Sequence, residues 1–553
     1  MKTKSFDFLV CAAMLCSLCI WSELSAENSA GIWMKFEQDF TSTADYENPI
    51  YDVGKFYVSF TSPTGRVKNI NGFWDGGRTW RVRFCPDEKG AWSYTSECSD
   101  SANSGLHRIS GSFECVLHED TLAIYARGAI TRPKGTYYLT HADGTPFFWT
   151  ACTAWNGALR STEEEWEHYL ADRASNGYNV IQFVTTQWRG CEADLHGRKA
   201  FEGSARIRID PIFFHHLDGK IDRINAHGLV AAPVLLWALP WGQGRELSPG
   251  YYLPESEAIL LARYMVARYG GNHVIWILGG DGAYVGPFEQ RWKNIGRGVF
   301  GDEHPGLVAQ HPHGQSWIGN DYADESWLDI IGYQSSHSNS EQTVSWINKG
   351  PVSQEWDRLP ARPIINLEPN YEEIGFRITA RDVRNACYWS VFAAPVAGIT
   401  YGANGIWPWL RKGEKVLNHD RLLRDDREYH TWRESIEFDG SIQVGYLAQF
   451  FRSLEWWRLK PTKLLLAEQP GDNLYNSFIS VAGTDNRDLV VAYIPVKSTV
   501  VLRNPSGLEY QGQWFDPVAN RYSEAEIKAG QGLVQATSPG EEDMLLVLKK
   551  TGK

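Results

Sequence analysis

Two acidic residues stand at equivalent places in this chain. Asp281 lies in HVIWILGGDGAY and Glu368 in ARPIINLEPNYE, and each closes a short apolar run where a buried strand should break into a loop. Gly279, Gly280 and Gly282 around Asp281 let the backbone turn sharply and let a ligand approach closely. Pro369 keeps Glu368 out of a helix and in extended backbone. A plain Asp-Gly turn or a salt-bridged Glu needs no chemistry. Two carboxyls facing each other over a cleft are the minimum equipment for breaking a glycosidic bond. About 5–5.5 Å between them gives a retaining double displacement, and about 6.5–9.5 Å leaves room for a water and gives inversion. Asp281, flanked by glycine and open to desolvation, is the better acid. Glu368, held ionised by polar neighbours, is the better nucleophile.

The elements that position these acids alternate strand and helix over residues 130 to 455, which implies a parallel sheet. FFWTACTAW, NVIQFVTTQW, LVAAPVLLWALPW and HVIWILGG read as the first four strands, and LVAQHPHG, LDIIGYQSSH, PIINLEP and AGITYGANGIWPW as the last four. Thr162 caps the first helix and Gly177 stops it, while Asp210 and Pro211 start the second. Eight such units are the count of a (β/α)8 (TIM) barrel, whose chemistry sits at the C-terminal ends of its strands. The helix after strand five is poorly signalled. Strands four and seven lie nearly across the barrel mouth, so Asp281 and Glu368 can face each other there.

The other strand ends are aromatic or polar. Trp155 ends strand one, Gln187 and Trp188 strand two, Trp237 and Trp241 strand three, and Trp407 follows strand eight. His311 lies on strand five, and Gln334 and His337 on strand six. Aromatic faces stack on sugar rings, and Trp at four strand ends on one face is hard to explain by packing alone. His311 and His337 lack a third ligand at metal-site spacing, so they are expected to reach sugar hydroxyls, with no metal and no cofactor. Long loops after strands two, three and six favour a closed pocket and exo action on a terminal sugar.

Residues 27–118 and 462–553 are runs of short alternating strands with turn signals, as in FYVSFTSPTG and DLVVAYIP, and each predicts a β-sandwich. The fold class is therefore a multidomain α/β chain, a central barrel between two β-sandwich domains. No low-complexity linker separates the three, so rigid packing is expected. The 24 Trp, 25 Tyr and 24 Phe favour a carbohydrate partner, and the net charge of −12 argues against nucleic acid or an anionic membrane surface. Lys2 and Lys4 before FLVCAAMLCSLCI, with a cleavage point after Ala26, read as an export signal over residues 1–26 rather than a transmembrane anchor. The protein is thus expected in the periplasm or outside the cell. Leu15 and Leu18, before Cys16 and Cys19, disfavour lipoprotein anchoring. Cys85, Cys98, Cys115, Cys152, Cys191 and Cys387 remain after cleavage. A Cys152–Cys191 bridge is open beside the favoured alternative, isolated buried thiols.

On FFWTACTAWN, YNVIQFV, the GGD around Asp281, the His-Pro pair at His311 and Glu368, residues 130–455 resemble the apiosidase-like barrels typified by glycoside hydrolase family 140. That resemblance implies Asp281 as acid/base and Glu368 as nucleophile. GFWDGGRTWRVRFCPDEKGAWSY is similar to the small domain that often precedes such barrels, and the tail resembles a collagen-binding-type β-domain. Two alternatives give no turnover: a secreted carbohydrate-binding protein on a dead barrel, and an adhesion module working through its sandwiches. Neither needs acids at two strand ends.

Overall fold

A computed structural model describes residues 29–301, 304–419 and 427–552. The segment read as an export signal, with Cys16 and Cys19, lies outside these residues. Eight parallel strands form the centre: β1 (Trp149–Thr153), β2 (Val180–Val184), β3 (Val230–Trp237), β4 (Ile275–Gly280), β5 (Leu307–Gln310), β6 (Ile330–Gln334), β7 (Ile364–Glu368) and β8 (Gly398–Ala403). Each pairs with the next through β7, and β8 returns to β1, with Trp149 opposite Gly398. Tyr371 and Glu372, just past β7, pair with Gly402 and Ala403 and close the ring. Every residue of β1–β4 and β6–β8 is buried. Strands covered on both faces need such unbroken apolar runs. Each fully buried Ile, Leu or Val contributes about 1.5–3 kcal/mol.

The helices follow the signals in the sequence. α1 (Glu163–Ser175) starts in a capping box between Thr162 and Glu165, and α2 (Pro211–Ala226) starts at Asp210, whose side chain accepts from Ile212 N–H. α3 (Glu255–Tyr269), α4 (Glu289–Phe300), α5 (Glu341–Lys349), α6 (Ala380–Ala393) and α7 (Asp439–Arg452) complete the outer layer. No helix joins β5 to β6. Residues 311–329 are a buried loop instead, with Ile318, Tyr322 and Trp327 packed inside. His-Pro, Gly314, Gly319 and Asn320 break any helix there.

The barrel is flanked by β-rich regions. Before it, a five-stranded and a three-stranded sheet enclose a core that includes Phe60, Val82 and Trp92. After it, a six-stranded and a three-stranded sheet enclose Val490, Leu502, Trp514 and Leu546. Both regions are fastened to the barrel by buried ion pairs. Arg268 lies 2.7 Å from both Asp75 and Asp218, and Arg83 also reaches Asp218 at 2.7 Å. On the other side Arg384 of α6 grips Asp543. The six cysteines among the described residues are free thiols, Cys152 and Cys191 among them. The bridge considered between those two is not formed. No helix among the described residues is long and apolar enough to cross a membrane.

Candidate active site

Asp281 is the first residue beyond β4, and its backbone is left-handed, with φ of 49°. A side-chain-bearing residue adopts that conformation only where its surroundings hold it. Here the glycines explain the local path. Tyr284 packs over Gly279 and Gly282 and Trp237 over Gly280, so a Cβ on any of the three would stand 2.5–2.6 Å from a side-chain atom. The Asp281 N–H donates to Nδ1 of His311 at 2.9 Å. That bond places the His311 proton on Nε2. Nε2 lies 3.0 Å from Oε2 of Glu368, close but out of line for a strong hydrogen bond.

Glu368 is the last residue of β7 and is buried. His337 Nε2 lies 3.0 Å from its Oε1, and His337 Nδ1 lies 2.9 Å from the Pro369 carbonyl. Both His337 nitrogens thus face acceptor oxygens. Burial by itself would raise the Glu368 carboxyl, but His311 and His337 together outweigh it and hold it at about 2. Asp281 moves the other way. Burial and then the Glu368 charge push it well above the ordinary carboxylate range, and Arg189 only partly offsets them. No donor among the described residues bonds the Asp281 carboxyl.

Both acids line one cavity of about 220 Å³ with Trp155, Trp188, Trp237, Trp407, Gln334 and His337. Gln187, His311 and Trp241 are not in its lining. Gln187 braces the loop after β2, donating to Phe201 O and accepting from Ala200 N–H, both at 2.9 Å. His311 is wholly buried, bonded to the Asp281 N–H on one side and facing Glu368 on the other. Trp241 is 46% exposed and packs edge-on against His313. His311 and His337 both turn to Glu368. Among the described residues no group of three or more His, Cys, Asp and Glu could hold a metal ion.

Four further residues line the cavity that sequence reasoning did not single out: Arg189, Tyr371, Ile374 and His419. Tyr371 accepts from Trp155 Nε1–H at 2.8 Å, and burial and the Glu368 charge keep its phenol protonated. His419 is pressed down to about 4, by burial first and by the Arg189 charge second, so it is neutral near pH 7. Several polar atoms of the lining are buried without a partner among the described residues: Trp237 Nε1, Trp407 Nε1, Arg189 Nε, Gln334 Oε1 and Glu368 Oε2. Buried polar atoms are nearly always satisfied in folded proteins, so water or a polar ligand in the cavity completes their bonding.

A closed eight-stranded parallel barrel with two acids at the ends of strands four and seven has the architecture of a glycoside hydrolase. Comparison with known proteins gives the family. The sequence profile described as "Apiosidase-like, catalytic domain" matches residues 133–458, and "Domain of unknown function (DUF5060)" matches residues 29–99. The chain belongs to the apiosidase-like catalytic-domain family. A glycoside hydrolase family 5 protein from Bacteroides vulgatus ATCC 8482 superposes with a TM-score of 0.67 at 21% identity, covering 78% of this chain and 95% of its own. A second protein of that strain, described as a candidate glycoside hydrolase, gives 0.69 at 15% identity over 95% of this chain and all of its own. At these identities the likeness is one of fold. No curated protein matches the sequence.

Proposed function

We propose that this protein is an exported, retaining glycoside hydrolase that removes a terminal sugar, with Asp281 as acid/base and Glu368 as nucleophile. The observation that carries this is two acids on one cavity in opposed surroundings: histidine nitrogens 3.0 Å from each Glu368 oxygen favour its ionised form, while burial and the Glu368 charge raise Asp281 and favour its protonated form. Pairs of acids whose surroundings push them apart divide the work of acid and nucleophile. In the first step a Glu368 oxygen attacks the anomeric carbon, the bond to the leaving oxygen breaks, and Asp281 gives that oxygen its proton. In the second step Asp281 takes a proton from water, the water oxygen attacks the same carbon, and Glu368 leaves as carboxylate.

The lining suits a sugar. Four indoles offer flat apolar faces, and the unpartnered donors and acceptors offer bonds for hydroxyls. The volume is small beside the roughly 300–1,000 Å³ of pockets for drug-sized ligands, which favours one terminal ring over an internal stretch of chain. Turnover on a panel of plant and host polysaccharides tests the proposal. Release of monosaccharide, abolished by Glu368→Gln, is expected. Hydrolysis that persists in Glu368→Gln removes the assignment, and oligosaccharides from internal cuts remove exo action. The reading of residues 1–26 as an export signal supports activity in the periplasm or outside the cell, which fractionation of the producing cells checks.

A further inference from the structure

Arg189 is the arginine of the catalytic cavity. Arg83, Arg268 and Arg384, buried as deeply, each hold a carboxylate. Arg189 is 8% exposed, lines the catalytic cavity, and forms no ion pair with any described carboxylate. Of its five N–H donors, one on Nη2 reaches Asn418 O at 3.1 Å, and Nε is buried with no partner. Its place is built. Asn418 Nδ2–H donates to the Arg189 carbonyl at 2.8 Å, and Gly242 keeps clear of the guanidinium, because a Cβ there would lie 2.8 Å from Nη1.

The other charges in the cavity do not neutralise it. Asp281 must hold a proton to act as acid, and the Glu368 oxygens face His311 and His337. His419, beside Arg189, is itself driven neutral. A buried cation without a counter-ion is unfavourable, and the guanidinium fork matches a planar or tetrahedral oxyanion with two parallel bonds. An anionic group on the ligand supplies the counter-ion that the described residues do not. We propose that Arg189 recognises a carboxylate or a sulfate ester on the sugar bound in this cavity, so that the substrate is an acidic glycan. This rests on the glycosidase reading of the same cavity and names its substrate class.

The test is binding to the full-length protein at pH 7, followed by quenching of tryptophan fluorescence and by calorimetry. The probes are galacturonate and glucuronate, galactose 6-sulfate and glucose 6-sulfate, and neutral galactose and glucose. At least one acid should bind about ten- to a hundredfold more tightly than its neutral parent, the range for hydrogen bonds to a charged group. The uronate and sulfate arms tell which anion is read. Arg189→Met should erase the preference. Arg189→Lys, which keeps the charge without the fork, should retain part of it and guards against a variant that fails to fold. The proposal is overturned if no acid binds more tightly than its neutral parent, or if the preference survives in Arg189→Met. Hydrolysis of neutral glycans alone, abolished by Glu368→Gln, removes this inference and leaves the glycosidase standing. Arg189-dependent binding of acids with no hydrolysis of any glycan supports this inference and removes the glycosidase.

Discussion

The N–H of Asp281 donates to Nδ1 of His311, and the same ring turns Nε2 toward Glu368. One buried imidazole therefore fixes the turn that carries the proposed acid and faces the charge of the proposed nucleophile. Strands four, five and seven each contribute one member of this line. The ring needs no exchange of protons with substrate to matter, since it bonds the backbone that carries Asp281 and, with His337, lowers the Glu368 carboxyl.

The two acids should fail in different ways. Asp281→Asn is expected to cut kcat/KM by about 10²–10⁴ on substrates with poor leaving groups, and far less on an aryl glycoside whose leaving group needs no proton. Glu368→Gln should abolish turnover on both. In the native enzyme the alkaline limb of the pH profile belongs to Asp281, which is raised by burial and by Glu368, so activity should extend well above the usual carboxylate range. Equal losses on both substrates in Asp281→Asn would remove it as acid.

His311→Asn tests the link between them. Without the imidazole the Glu368 carboxyl should rise from about 2, because burial raises it and only His337 remains to oppose that. The acidic limb of kcat/KM should move to higher pH with it. A purely structural histidine would lower Tm and leave the limb in place, so the pH profile separates the two roles.

Stability should carry the sign of the Asp281 shift. Its ordinary value is 3.8, and the folded value is higher. Below that ordinary value the carboxyl is protonated in both folded and unfolded chains and contributes its full share. As pH rises past it, the unfolded chain releases the proton while the folded one keeps it, so stability falls until the folded value is passed. Asp281→Asn lacks this loss. Its Tm should exceed that of the native protein at pH 7 and above, with the gap closing toward pH 3. A Tm difference that does not change with pH would contradict a raised Asp281.

The Arg384–Asp543 pair should anchor the C-terminal region. Asp543 is wholly buried, and Arg384 also donates to Gln443 at 2.6 Å. Arg384→Met leaves an unpaired buried carboxylate and should cost about 3–5 kcal/mol, read by denaturant unfolding and by protease cutting of residues beyond 460. A change within about 0.5 kcal/mol, the range for surface substitutions, would show that the pair does not anchor this region.

Much of this arrangement is written in local sequence. HVIWILGG reads as a doubly buried parallel strand, and Thr162 with Glu165 spells a helix start. The missing helix after β5 was obscure because residues 311–329 carry both apolar anchors and breakers. Gln187 and Trp188 are neighbours on extended backbone, where side chains alternate; Trp188 faces the cavity and Gln187 turns to the loop. The same alternation would send Arg189 away, but Trp188 and Cys191 exchange backbone hydrogen bonds at 2.9 Å, and that tight turn brings Arg189 back. A turn closed by tertiary packing has no signature that a strand-by-strand reading can catch. His311 looked like a hydroxyl ligand for a similar reason: its role comes from two strand ends that meet only in the closed barrel.

The stereochemistry of the product decides what Glu368 does. An ionised carboxylate and an acid of raised pKa on one cavity serve either displacement, so the retention proposed above is read from the product. The first-formed sugar should then keep the anomeric configuration of the substrate, which NMR reads before mutarotation. A slow 2-deoxy-2-fluoro glycoside of the accepted sugar should trap the intermediate, and mass spectrometry of the digested protein should find the added mass on the peptide that contains Glu368. In Asp281→Asn that adduct should accumulate even with an activated unfluorinated substrate, because its hydrolysis needs a base to take a proton from water. An inverted product with no adduct would make Glu368 the base for a water molecule, leaving Asp281 as acid and the barrel as an inverting enzyme.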